Sequence, residues 1–218
     1  DPKNIFNPNK IVDTPPMDTF LRYEKNQVTP EFDTAFDFSE HEGILRSAEL
    51  CNGSGDCRKT ELSGGTMCPS YMATRDEKDT TRARANILRE ILTHSTEANP
   101  FDNPEIKEVM DLCLSCKGCS SECPSNVDMA KLKGEWHHQY YKSNGIPFRT
   151  KQIAHFSKSM KLVSKAPWAY NLVFGNRLTG NIAKSIAGFA KERSMPALAK
   201  QPLAQWLIKE FKPQTSNR

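Results

Sequence analysis

Residues 113 to 124 read CLSCKGCSSECP: four cysteines separated by two, two and three residues, the last followed by proline. The run Cys113-x2-Cys116-x2-Cys119-x3-Cys123-Pro124 has the spacing of bacterial-type ferredoxin ligands. Three thiolates this close on one loop can each take an iron of a single cubane, while the fourth is directed to a second cluster. Pro124 supplies no N–H and fixes φ, so it steers the chain into the next helix. Gly118 suits a tight loop in which bound sulfide leaves little room for a side chain. Zinc sites are typically built from paired C-x2-C units instead. The stretch therefore reads as iron–sulfur.

Crossed ligation dictates what the rest of the chain must supply. Another Cys-Pro should complete the cluster of Cys113, Cys116 and Cys119, and Cys68-Pro69 is the only other one. Cys123 must then serve a partner cluster with the remaining thiols, Cys51 and Cys57. These last two lie in CNGSGDC, residues 51–57. Laid over CLSCKGC, it places Cys51 on Cys113, Cys57 on Cys119, and Ser54 where Cys116 stands. The fourth position of this second site is open. An oxygen from Ser54, water or Asp56 could fill it, the iron could be missing so that a [3Fe-4S] cluster replaces [4Fe-4S], or Gly-Ser-Gly is only a turn.

All seven cysteines fall between residues 51 and 123, an odd number in a chain without a secretion pattern at its N-terminus. Thiolate ligands in a reducing cytoplasm fit this better than disulfides. Hydrophobic residues make up 37% of the chain and prolines number 14, which suits an elongated or partly irregular protein. No apolar run approaches the roughly 20 residues of a membrane span. Residues 1–130 hold 14 Lys+Arg against 23 Asp+Glu, about −9, while residues 131–218 hold 16 against three, about +13. The basic half is suited to an acidic domain or to peripheral contact with an anionic membrane face. No nucleic-acid motif accompanies the charge, so nucleic acid is not an expected partner.

Helical spacing surrounds the cysteines. In DTTRARANILREIL, Ile87, Leu88, Ile91 and Leu92 form one apolar stripe, with Asp79 or Thr80 placed to cap it. Asn103-Pro104 opens a second helix carrying Ile106, Val109 and Met110. SNVD, residues 125–128, resembles a capping box ahead of a helix that ends near Gly145. Beyond it, breakers at Pro167, Gly175, Gly180, Pro196 and Pro202 separate further helical stretches. Residues 1–50, with NPNK, DTPPMD and VTPEFD, read as turns and short extended pieces lying over some other surface. His137 and His138 point to different faces of a helix and suit packing or surface roles. Arg82, Arg84 and Arg89 read as a solvated or domain-facing surface. Trp168, Tyr170 and Phe174 suit a helical packing face, with a membrane interface as the alternative.

CNGSGDCRKTELSGGTMCPSYMATRDEKDTTRARANILRE and DLCLSCKGCSSECPSNVDMAKLK together resemble the iron–sulfur portion of bacterial FAD-linked oxidase fusions. These are D-2-hydroxyacid dehydrogenases of the D-lactate, glycolate and D-2-hydroxyglutarate type. The opening DPKNIFNPNKI is similar to the last strand and turn of the family's FAD domain, with Asn9 where glycine is usual. The resemblance implies an internal piece of a longer chain. Residues 1–45 would be the tail of the FAD-linked oxidase domain and a linker, 46–145 an α-helical ferredoxin domain with two cluster sites, and 146–218 a basic helical extension leading to a cysteine-rich domain. It also implies that a first run lacking its middle cysteine is the family's habit. The expected fold is mainly α, with an irregular N-terminal linker and a helical C-terminal extension.

The resemblance implies electron transfer from a flavin that oxidises a D-2-hydroxy acid to a downstream acceptor such as quinone or a carrier protein. The FAD would sit in the absent N-terminal domain, and no complete active site lies in this chain. The expected location is cytoplasmic, with peripheral contact at the inner membrane face as an option. A heterodisulfide-reductase-like or glycerol-phosphate dehydrogenase-like iron–sulfur subunit is one alternative, and a structural cluster-binding module is the other.

Overall fold

The computed structural model describes residue 3, residues 5–23 and residues 26–211. Asp1, Pro2 and Asn4 of the opening stretch, and the last seven positions of the basic extension, lie outside the described residues. Among the described residues the chain is all helical, without a strand, as the sequence predicts. Residues Ile5 to Ile11 form turns and bends, with Asn7 and Asn9 at positive φ, so no strand continues through the opening stretch. An isolated extended segment has no neighbour to accept its backbone hydrogen bonds. The chain divides into two compact units, 1–140 and 141–218.

The first unit is built from short helices: α1 (Ile44–Glu49), α2 (Pro69–Thr74), α3 (Thr81–His94), α4 (Pro104–Asp111), α5 (Gly118–Glu122) and α6, whose span Met129–Asn144 runs past the division. Thr80 caps α3 by accepting the Ala83 N–H at 3.0 Å. Asn103 caps α4, accepting from Glu105 N at 2.8 Å, with Pro104 in the first turn. Both follow the sequence reading. Leu88 and Leu92 of the apolar stripe are buried, and Ile87 and Ile91 pack partly exposed beside them. They meet Ile44 and Leu45 of α1, Ile106 and Met110 of α4, and Leu132 and Trp136 of α6 in one core.

Three expectations need correction. Helix α1, with Ile44, Leu45 and Ala48 buried, lies inside the segment read as irregular. It is too short to display a periodic pattern between SEHEG and the first cysteine. Helix α6 begins at Met129, and Asp128, not Ser125, caps it by accepting the Lys131 N–H at 3.0 Å. Arg84 is 1% exposed, so it is not part of a solvated surface. Its Nε donates to Val109 O at 2.6 Å and its other nitrogen to Ser70 Oγ at 3.1 Å, tying α3 to α4 and α2.

Residues 32–38 do run over a surface, and it is the chain's own α6. Glu135 is fully buried, and its Oε2 accepts the N–H groups of Ala35 and Phe36 at 3.0 and 2.9 Å. Its Oε1 accepts from Gln139, which also donates to Asp33 O at 2.7 Å. A buried carboxylate is tolerated only when hydrogen-bonded in this way. Glu135→Ala is expected to free this segment. Limited proteolysis should then cut near residues 30–38 at least about tenfold faster, since hydrogen bonds to a charged group are worth ~1.5–3 kcal/mol each. Unchanged cleavage would place the anchor elsewhere.

The second unit contains α7 (Phe148–Ala154), α8 (Phe156–Val163), α9 (Pro167–Gly175), α10 (Arg177–Ile186) and α11 (Leu203–Glu210). α9 and α10 form a tight helical hairpin. Asn176 caps α10 at 2.9 Å, and a Cβ on Gly180 would stand 3.3 Å from the Phe174 carbonyl. Gly180 is the one buried residue among the described residues of this unit. Tyr170 and Phe174 stack with ring centroids 4.5 Å apart, while Trp168 is exposed. No helix of the described residues is long and apolar enough to cross a membrane.

Candidate metal centre

Helix α5 holds the loop that leads into Cys68 and α2 against the second cysteine run. The Glu122 carboxylate, at the end of α5, accepts Thr66 N and Oγ1, each at 2.7 Å, and Met67 N at 3.1 Å. These hydrogen bonds hold that carboxyl below the usual carboxylate range. Gly118 lies against the same loop, where a Cβ would stand 3.1 Å from Thr66 Oγ1 and 3.3 Å from its carbonyl oxygen. The glycine therefore makes room for the loop that carries Cys68, rather than for sulfide alone. Cys68 itself has φ 55°, and Pro69 opens α2 directly after it.

The outcome is a cavity lined by Cys68, Cys113, Cys116 and Cys119, with Thr81, Arg84 and Ala130 among the other walls. Cys51, Cys57 and Cys123 do not line it. Cys51 and Cys57 are buried in the same core and within electrostatic reach of each other, and Cys123 packs partly exposed against that core. Ser54 is exposed, and its N–H is bound by Asn52 Oδ1 at 3.0 Å in a turn flanked by Gly53 and Gly55 at positive φ. All seven thiols are free. Among the described residues no three His, Cys, Asp or Glu side chains converge closely enough to share a single ion. A cubane asks for something else, one thiolate for each iron around a cage.

Three thiols sit on the first turns of the long helices. Cys68 Sγ accepts the Thr81 N–H at 3.0 Å and contacts the Thr81 hydroxyl at 3.0 Å, at the start of α3. Cys57 meets the Thr80 hydroxyl and the Arg82 N–H at the same helix end, and Cys119 meets the N–H groups of Met129 and Ala130 opening α6. Burial pushes the Cys68 thiol up to about 11, with the Thr81 bonds opposing it, and raises Cys57 and Cys119 as well. A thiolate there needs a positive partner to replace its proton, and unpaired helix N–H groups are ready for the negative charge. These first-turn donors escaped the sequence reading, although Thr80 and Thr81 adjoin the cap position it identified.

His137 is half-buried against Trp136, with ring centroids 4.7 Å apart, and burial lowers its pKa, while His138 is exposed. Neither lines the cysteine cavity.

Residues 50–128 match the 4Fe-4S dicluster domain family, a domain type that carries two iron–sulfur clusters. The chain is 23% identical to D-2-hydroxyglutarate dehydrogenase of Escherichia coli K12, over 95% of this chain and 23% of that protein. It is 25% identical to the enzyme of the same name from Pseudomonas putida KT2440, over 65% of this chain and 17% of that one. The glycolate oxidase iron-sulfur subunit of E. coli K12 is 31% identical over 47% of this chain and 22% of its own length. The chain thus spans less than a quarter of the curated relatives it matches. No solved structure matches it significantly. Residues 50–128 are thus similar to a 4Fe-4S dicluster domain, and the chain is similar at low identity to a part of D-2-hydroxyglutarate dehydrogenases and of a glycolate oxidase iron-sulfur subunit.

Proposed function

We propose that this chain is the electron-transfer module of an FAD-dependent D-2-hydroxyacid dehydrogenase. The observation that carries the reading is the cavity where Cys68 joins Cys113, Cys116 and Cys119, across more than forty residues of intervening chain. These four cysteines hold cluster one. Cys51, Cys57 and Cys123 hold cluster two, with Ser54 or another oxygen as its fourth ligand. Such clusters, when bound, take up and release single electrons. The chain's own contribution is to orient the thiols, offer helix first-turn N–H groups to Cys57, Cys68 and Cys119, bury those three, and leave Cys116 at the surface.

The resemblance to FAD-linked oxidase fusions suggests what lies on either side. A flavin domain preceding this chain would remove a hydride from the substrate carbon while the hydroxyl proton leaves, giving a 2-keto acid and two electrons. Those electrons pass singly to an acceptor, either a quinone or a carrier protein. Residues 1–45 link to the flavin domain, 46–145 hold the clusters, and the basic 146–218 leads to a cysteine-rich domain of the same parent chain. Exposure of Leu114 (71%) beside exposed Cys116 favours electron exchange over a purely structural cluster, because it leaves a short path from the cavity to a docked partner.

Anaerobic purification followed by iron, acid-labile sulfide and EPR analysis tests the proposal. About eight irons per chain, reversibly reduced by dithionite, is the expected result for two complete cubanes. About seven, with a signal in the oxidised sample, would place a three-iron cluster opposite Ser54. About four would leave CNGSGDC as a turn, and zinc without sulfide would overturn the reading.

A further inference from the structure

Among the described residues of the first unit, four charged side chains are buried: Asp79, Arg84, Lys133 and Glu135. Three have evident compensation. Arg84 faces Asp79 at 3.5 Å, and Glu135 accepts the backbone N–H groups of the N-terminal segment. Lys133 is different. It is 7% exposed, and among the described residues no carboxylate lies within ion-pair distance of it. Its ammonium donates to two carbonyls, Met110 O and Cys113 O, each at 2.6 Å. Burial lowers its pKa and the neighbouring Cys113 opposes that, with Arg84 adding to the lowering and Asp111, an exposed carboxylate beyond ion-pair distance whose field water screens, adding to the opposition. Hydrogen bonds to neutral carbonyls do not offset the cost of burying a full charge, and a negative group nearby does.

The negative group is indicated by position. Cys113 lines the cavity, as do Met129 and Ala130, which lie one turn before Lys133 on α6. A cubane held by four thiolates has net negative charge and gains one more on taking an electron. The second site has no equivalent. The arginines near Cys57, Arg82 and Arg58, are partly exposed and bound to the Glu77 carboxylate at 2.6 and 3.0 Å, so their field is both countered and screened.

We infer that Lys133 is the fixed counter-ion of the site formed by Cys68, Cys113, Cys116 and Cys119, and that its charge makes this site the first of the two to be reduced. The inference rests on the two-cluster reading above. The step is the entry of one electron, supplied by dithionite in the experiment, without a proton. Lys133 lowers the energy of the added negative charge, and the carbonyls of Met110 and Cys113 fix where the ammonium stands. It is a positioning residue, since no electron or proton passes through it.

The test is an EPR-monitored redox titration of the cluster-loaded chain and of its Lys133→Met and Lys133→Gln variants. Glutamine keeps a donor for one of the carbonyls, and both variants remove the charge. Both are expected to make reduction of cluster one about tenfold less favourable, ~59 mV for one electron, and to move cluster two by much less. A shift seen in the methionine variant alone would assign the effect to hydrogen bonding and overturn the inference. Equal shifts in both clusters, or none, would overturn it too. If neither variant retains cluster one, the order of reduction in the unaltered chain decides, with Cys116→Ser used to mark the cluster-one signal. First reduction at cluster two sinks the inference and leaves the two-cluster reading standing, whereas absence of iron and sulfide sinks that reading itself.

Discussion

Cys116→Ala is expected to halve the bound iron, from about eight per chain to about four, and to remove one of two EPR signals. The expected loss is selective because Cys116 is the exposed cysteine of the seven, so its removal leaves no buried cavity. What disappears is a ligand at the mouth of the site. Cys123→Ala should remove the other signal, although only seven residues separate the two positions. That contrast follows from crossed ligation, in which the cysteine before the proline turns away from its own loop. Cys123 is absent from the walls of the cavity that Cys116 lines, which supports that division. Loss of the same signal in both variants would mean that the loop holds one cluster with all four of its cysteines. Retention of all iron in Cys116→Ala would remove Cys116 from the ligand set.

The helices of this molecule were legible where a full periodic stripe existed. Ile87, Leu88, Ile91 and Leu92 announce α3, and Asn103-Pro104 announces the start of α4. Helix α1 was hidden because six residues complete fewer than two turns, too few for a period to repeat. The gathering of Cys68 with Cys113, Cys116 and Cys119 was an expectation from ligand chemistry, and the structure places all four around one cavity. The means of gathering them was not legible. Glu122 holding the Thr66–Met67 backbone is a contact across more than fifty residues, and a glutamate at a helix end usually reads as a solvated charge. Lys133 and Arg84 were obscured for a related reason. Lysine and arginine are buried so seldom that composition places them outside, and only tertiary packing reveals the exception. The sequence places Ser54 over Cys116, and the alignment carries over to the surface: both side chains are exposed, and each sits between two residues at positive φ, Gly53 and Gly55 in one run and Ser115 and Lys117 in the other.

The largest stability effect is expected from Arg84→Met. The guanidinium ties three helices, bonding the Val109 carbonyl of α4 and Ser70 of α2 from its place on α3. It also faces Asp79, which is 1% exposed. The Asp79 Oδ2 atom accepts the Thr74 hydroxyl at 2.8 Å, but its buried Oδ1 has no hydrogen-bond partner. That oxygen depends on the arginine charge 3.5 Å away. Methionine fills much of the volume and removes the charge, leaving an uncompensated carboxylate in the core at a cost of ~3–5 kcal/mol. Asp79→Asn on its own should cost less, because it removes the group whose burial is expensive and keeps the Thr74 contact in reach. Combining Arg84→Met with Asp79→Asn should recover a large part of the single-variant loss. Thermal unfolding of the cluster-loaded chain at one fixed scan rate measures all three. If the double variant is as unstable as the sum of the singles, the pair does not interact, and the contribution of Arg84 lies in its bonds to Val109 and Ser70. Recovery would instead show that a fixed buried charge pair stands beside the cysteine cavity. In that case Asp79 cancels the field of Arg84, and the charge on Lys133 is the one left to act on the site.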